Sequence, residues 1–118
     1  MDPIHLRQMR PDDVPWLVEA HGRLYAQDEG FDDSFPELVQ GLLIGFLDRF
    51  DPDSDASFIA ERADGTRLGS IFCQRLDDET AKLRMFLVLP EARGTGLGRR
   101  LLRACMGFAQ GAGYRGMS

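Results

Sequence analysis

Apolar positions divide the chain into alternating and helical stretches. Ile4-His5-Leu6-Arg7-Gln8-Met9 is short and roughly alternating, which predicts an opening strand. Arg10-Pro11-Asp12-Asp13 stops it, and Asp12 or Asp13 can cap a helix in which Pro15 takes an early, tolerated position. Val14, Leu17, Val18, Leu24 and Tyr25, with His21 among them, follow the helical period to about Gln27. A loop dense in carboxylates, Asp28-Glu29-Gly30-Phe31-Asp32-Asp33, leads to Ser34-Phe35-Pro36-Glu37, a capping box with proline in the first turn. Phe35, Leu38, Val39, Leu42, Leu43, Phe46, Leu47 and Phe50 then recur at three- and four-residue steps, which predicts a second helix with one buried face.

Beyond residue 55 the period changes. Ala56 to Ala63 and Arg67 to Leu76 read as strands around Asp64-Gly65, a hairpin signal, and Asp77-Asp78-Glu79-Thr80 turns the chain into a third, Ala81 to Leu89. These make an antiparallel meander. A last helix to about Ala112 places Leu97, Leu101, Cys105, Phe108 and Ala112 on one face, widened by Leu102, Met106 and Ala109, with Gly111 and Gly113 as its stop. Tyr114-Arg115-Gly116-Met117-Ser118 reads as the approach to another strand. The expected fold class is α+β, sandwich-like, with a mixed but mostly antiparallel sheet in the order strand, two helices, three strands, helix.

Length and charge narrow the function. The 118 residues, 43% hydrophobic, suit a single domain over 1–118. A net charge of −5 without a Lys/Arg block argues against nucleic-acid binding. No apolar run has the length of a membrane span and the N-terminus lacks the pattern of a signal peptide, so a cytoplasmic protein without membrane contact is expected. Cys73 and Cys105 read as reduced core thiols. Asp51-Pro52-Asp53-Ser54-Asp55 begins like a calcium loop, but Ala56 replaces the glycine and Arg62 the closing glutamate; it reads as a linker, and no metal is expected.

The chemistry concentrates in Arg93-Gly94-Thr95-Gly96-Leu97-Gly98-Arg99-Arg100, between the apolar strand and the last helix. Glycine at every second position leaves one wall without side chains, and the helix N-terminus adds unsatisfied N–H donors and the positive end of its dipole. Arg99, Arg100 and Arg103 occupy the first two turns, where cations are disfavoured by roughly 0.3–1 kcal/mol each unless an anion lies nearby. A polyphosphate answers both features. No Lys follows the glycines as a Walker A loop requires, and Arg99 stands where a dinucleotide fingerprint needs its last glycine.

The segment resembles motif A of the GNAT acetyltransferases, [Q/R]-x-x-G-x-[G/A] after a strand, here Arg93-x-x-Gly96-x-Gly98 after Phe86-Leu87-Val88-Leu89-Pro90-Glu91-Ala92. The resemblance implies acetyl-CoA as cosubstrate. Its pyrophosphate would lie on Arg93, Gly94, Thr95, Gly96, Leu97, Gly98, Arg99 and Arg100, and its pantetheine along the backbone of Leu87, Val88 and Leu89. GNAT domains normally continue with a fifth strand, a helix and two further strands, so a C-terminally truncated domain is expected. The uncovered edge motivates a homodimer, which a monomer in sedimentation would refute. Residues 16–32, continuing to Phe35 and Leu38-Val39, look like the acetyltransferase half of proteins that fuse a MarR-type regulator to a GNAT domain.

The implied reaction is acetyl transfer to an amine acceptor. The family often sets a base carboxylate on the strand before the loop, but Lys82 and Arg84 flank Leu83 here. Glu29 and Tyr25 are then the catalytic candidates. Asp28, Glu29, Asp32 and Asp33 would attract a cationic amine or form a solvated acidic loop. Tyr25 is a pocket hydroxyl or a core aromatic, and His21 a base or a half-buried structural histidine. A non-catalytic acyl-CoA-binding module, or a fragment of a longer enzyme, is the other reading.

Overall fold

A computed structural model describes residues 4–29 and 36–117, with side chains described outside 24–38. The chain divides into two compact units, residues 10–50 and the remainder.

The first unit is helical. Pro11–Asp13 forms a 3-10 turn that runs into α1 (Val14–Glu29), and α2 spans Pro36–Asp48. Neither Asp12 nor Asp13 takes the capping position, which falls to Arg10; Asp13, the third residue of the turn, closes a capping box instead, its Oδ2 accepting the Arg10 N–H at 2.7 Å while its own N–H donates to Arg10 O at 2.9 Å. Fully buried, Asp13 thereby closes the entry turn, and α1 continues two residues beyond the expected Gln27. In α2 the buried stripe is narrower than the sequence pattern. Val39, Leu43 and Phe46 are buried, but Leu42 is 40% exposed, and the Phe46 and Phe50 rings meet at 5.5 Å. The Ser34-Phe35 cap lies outside the described residues.

The second unit is a five-stranded sheet with a helix on one face. Its strands are β1 (Ile4–Arg7), β2 (Ala56–Arg62), β3 (Arg67–Arg75), β4 (Thr80–Val88) and β5 (Gly116–Met117), in that spatial order, and α3 spans Leu97–Gly111. β1 to β4 pair antiparallel. β1 stops two residues short of the expected Met9 because the Met9 N–H leaves the ladder for the Ser57 hydroxyl at 3.0 Å. The β2–β3 hairpin closes with Arg62 N–H on Thr66 O at 2.9 Å and Gly65 at φ 90°, so its loop is Ala63-Asp64-Gly65, one residue more than the tight two-residue turn. At the next turn Asp77 Oδ1 accepts the N–H groups of Glu79 and Thr80, and β4 starts one residue earlier than expected.

Beyond α3 the chain does more than approach a strand. Arg115 and Gly116 N–H donate to Glu79 O at 2.7 and 3.1 Å, and Gly116–Met117 pairs parallel with Thr80 and Ala81 of β4. A fifth strand expected to be lacking is therefore begun.

Strand alternation sorts the sheet's two faces. Ala56, Ala60, Ile71, Cys73, Ala81, Leu83 and Val88 face α3, where Leu97, Leu101, Cys105 and Ala109 complete the core. Burying these side chains contributes about 25 cal/mol per Å² of apolar surface. Cys73 and Cys105, remote in sequence, meet here as free buried thiols, and the hydrogen bond to Cys73 together with burial pushes the Cys105 thiol far up. Gly69 is required by close approach: a Cβ there would stand 2.7 Å from Leu87 O and 3.2 Å from Leu101 Cδ1. The opposite face carries Ser57, Ile59, Ser70 and Phe72, together with His5 and Arg7, which both bind Glu61 Oε1, at 3.0 and 3.1 Å.

Candidate active site

β4 does not run straight to the loop. Ser70 pairs with Leu87 and Phe72 with Arg84, so Met85 and Phe86 both stand opposite the single Ile71, a β-bulge. Met85 adopts φ 52°, a left-handed conformation costly for a non-glycine residue, and its carbonyl is pinned by the buried Ser70 hydroxyl at 2.6 Å. β5 covers only the opposite end of β4, at Thr80 and Ala81. Past the bulge, the Leu89 N–H donates to Leu68 O at 2.9 Å, towards β3. By alternation Val88 presents its backbone to the other edge, where its exposed carbonyl accepts Arg93 Nε at 3.3 Å. No protein strand pairs with that stretch among the described residues.

The loop follows at once. Pro90–Ala92 makes a 3-10 turn, and Thr95 doubles back on it, donating from Oγ1 to Ala92 O at 2.5 Å. Gly94 at φ 85° and Gly96 at φ 81° take the left-handed angles that reverse the chain into α3. The first helical bond runs from Arg100 N–H to Gly96 O at 3.1 Å, which leaves the N–H groups from Gly96 to Arg99 without intrahelical acceptors. Gly96, the capping residue, has no side chain to satisfy them. Val88, Ala92, Arg93, Gly94, Gly96, Leu97, Gly98 and Arg99 line an open cleft of about 440 Å³ at this point, a volume suited to a small-molecule ligand.

Most of the residues picked out as a phosphate site thus converge, with two departures. Arg100 turns away from the cleft and donates from its terminal guanidinium nitrogen to Ile4 O of β1 at 2.9 Å, so one of the three early cations has a structural reason. Thr95 holds the turn through its hydroxyl instead of lining the cleft. Gly98 lies in the cleft, where an added methyl would rest 3.7 Å from Val88 Cγ2, an ordinary contact. The backbone of Tyr25 and Glu29 is in α1, but their side chains lie outside the described residues, as do Asp32 and Asp33. His21 is buried, and burial holds its pKa below the ordinary 6.5. The bulge and Ser70 escaped sequence reasoning. Met85 to Leu89 is apolar throughout, so no break in alternation betrays the extra residue.

No curated protein matches the chain. Among solved structures, a Clostridium acetobutylicum predicted acetyltransferase, crystallised with acetyl-CoA, superposes with a TM-score of 0.80 at 15% identity, covering 98% of this chain and 79% of its own. A GNAT acetyltransferase from Brucella melitensis, in complex with acetyl-CoA, gives 0.78 at 24% identity, covering 99% and 75%. An acetyltransferase from Streptococcus agalactiae gives 0.75 at 24% identity, covering 94% and 68%. These likenesses establish the fold. The family model for the GNAT acetyltransferases matches residues 17–118, and the chain belongs to that family.

Proposed function

We propose that this chain is an N-acetyltransferase that binds acetyl-CoA along the open edge of β4 and on the loop that opens α3. The observation that carries the reading is continuity: the exposed Val88 carbonyl and the uncapped N–H groups of Gly96 to Arg99 line one cleft. The pyrophosphate takes the N–H groups at the helix terminus, with Arg93 and Arg99 as neighbouring cations. Pantetheine adds to the free edge beyond the bulge as a peptide would, through backbone hydrogen bonds.

Transfer is direct. A neutral amine attacks the thioester carbonyl and forms the new C–N bond. Backbone N–H groups beside the Met85-Phe86 bulge stabilise the oxyanion, whose collapse expels the thiolate of CoA. The ammonium proton passes to a base, directly or through water, and the thiolate takes up a proton. Holding amine and thioester together supplies much of the rate. Glu29 as base and Tyr25 as acid are the assignments to test.

Steady-state thiol release from acetyl-CoA with a panel of primary amines tests the activity. The proposal expects amine-dependent turnover that falls at least tenfold in Glu29→Gln or Tyr25→Phe if that residue moves the proton. Binding of acetyl-CoA without turnover on any amine would favour a non-catalytic acyl-CoA module.

A further inference from the structure

The sheet face opposite α3 carries a cation, Arg84, whose buried Nε has no hydrogen-bond partner among the described residues. Arg84 stands directly across from Phe72, and its neighbour Leu83 pairs with Cys73, which belongs to the α3 core, so Arg84 points to the other face. Lys82, opposite Gln74, shares that face two residues earlier. Arg84 Nε is buried and makes no hydrogen bond among the described residues. Glu61, the carboxylate that strand alternation places on this face among the described residues, lies two strands away and already binds His5 and Arg7.

A guanidinium is always charged, and burying one of its donors without an acceptor costs on the scale of a lost charged hydrogen bond. Such a group is completed by an anion that fits its planar fork, a carboxylate or a phosphate. The phosphates assigned to the loop are poorly placed to supply it. Val88, where the cleft begins, is four residues farther along β4, about 13 Å at ~3.3 Å per residue, and Val88 faces α3. Arg84 is instead adjacent to Met85, the strained residue of the bulge.

We infer that Arg84 is a specificity-determining residue that binds an anionic group of the acceptor, so that the substrates are amines carrying a carboxylate or a phosphate. The inference rests on the acetyltransferase reading, in which the reacting thioester lies beside the bulge. Lys82 adds a second positive charge to the same face and strengthens the field that draws such a molecule in.

The test compares matched acceptors under saturating acetyl-CoA: glycine with glycinamide, phenylalanine with phenylalaninamide, and phosphoethanolamine with ethanolamine. Wild type is expected to prefer the anionic member of at least one pair by tenfold or more in kcat/KM. Basicity works against this outcome, because the amides carry more free amine near neutral pH. Carboxylate and phosphate sources are separated by which pairs respond. In Arg84→Gln the preference should fall to about unity while acetyl-CoA affinity holds, and Arg84→Lys should recover part of it. Equal use of charged and neutral partners by wild type, or a preference surviving in Arg84→Gln, would overturn the inference but leave the acetyltransferase reading intact. If no amine turns over, the Arg84 Nε–H resonance can be followed with CoA present during titration with acetate, inorganic phosphate and acetamide. A shift with either anion and none with acetamide supports the site, and no shift with either anion refutes it.

Discussion

Gly94 and Gly96 hold φ angles of 85° and 81° with open space around them, so their requirement is conformational. Gly98 has an ordinary backbone and room for a methyl, so neither strain nor crowding requires glycine there. Gly94 and Gly96 should therefore respond to alanine differently from Gly98. Gly96→Ala should lose roughly 1–2 kcal/mol of stability, seen as a lower melting temperature, because an L-residue is strained there. Gly98→Ala should melt within about 0.5 kcal/mol of wild type yet bind acetyl-CoA more weakly, as an exposed substitution that intrudes on a ligand would. The glycine spacing and the early arginines were legible in the sequence because backbone conformation and helix-terminus electrostatics are local. The role of Arg100 was not, since its partner, the Ile4 carbonyl, is 96 residues away. Gly69 was hidden for the same reason, its constraint being the Leu87 carbonyl of the next strand.

At the scale of elements, β4 and its neighbours position the site. Ser70→Ala would remove the hydrogen bond that pins the bulge and leave the buried Met85 carbonyl short of a partner, costing about 1–3 kcal/mol in urea unfolding. If the bulge places the oxyanion donors, kcat should fall by more than acetyl-CoA affinity does. Helix α3 is fixed to β3 through Cys73 and Cys105, both buried. These thiols should react with a disulfide reagent orders of magnitude more slowly in the folded chain than in urea, and rapid labelling of the native protein would contradict that packing. The order of strands and helices was readable from period two and period 3.6. Element ends moved where single side chains intervened: Ser57 drew off the Met9 N–H and shortened β1, and Asp77 gathered the amides that begin β4. The bulge left no trace, because an uninterrupted apolar run conceals a shift of register.

At the scale of the molecule, two buried groups among the described residues, His21 and Glu61, contribute to the response to acid. Burial depresses the His21 pKa, so below its ordinary value of 6.5 the unfolded chain binds a proton that the folded chain resists, and stability declines as pH falls through that range. Glu61 is depressed mainly by its hydrogen bond from Arg7, so its contribution is present above about 4.5 and is lost as pH falls below it. Urea midpoints should therefore decrease from pH 7.5 to 5.5 and again towards pH 4, with His21→Gln flattening the first step. No helix among the described residues is long and apolar enough to cross a membrane. The most direct measurement of the proposed function is a calorimetric titration of acetyl-CoA into the 118-residue chain, beside Gly96→Trp, which places a bulky ring in the cleft proposed to hold the pyrophosphate. Micromolar binding by wild type that is lost in a folded Gly96→Trp is the predicted result. A folded wild-type chain that releases no heat with acetyl-CoA, or a Gly96→Trp variant that binds as tightly, would contradict it.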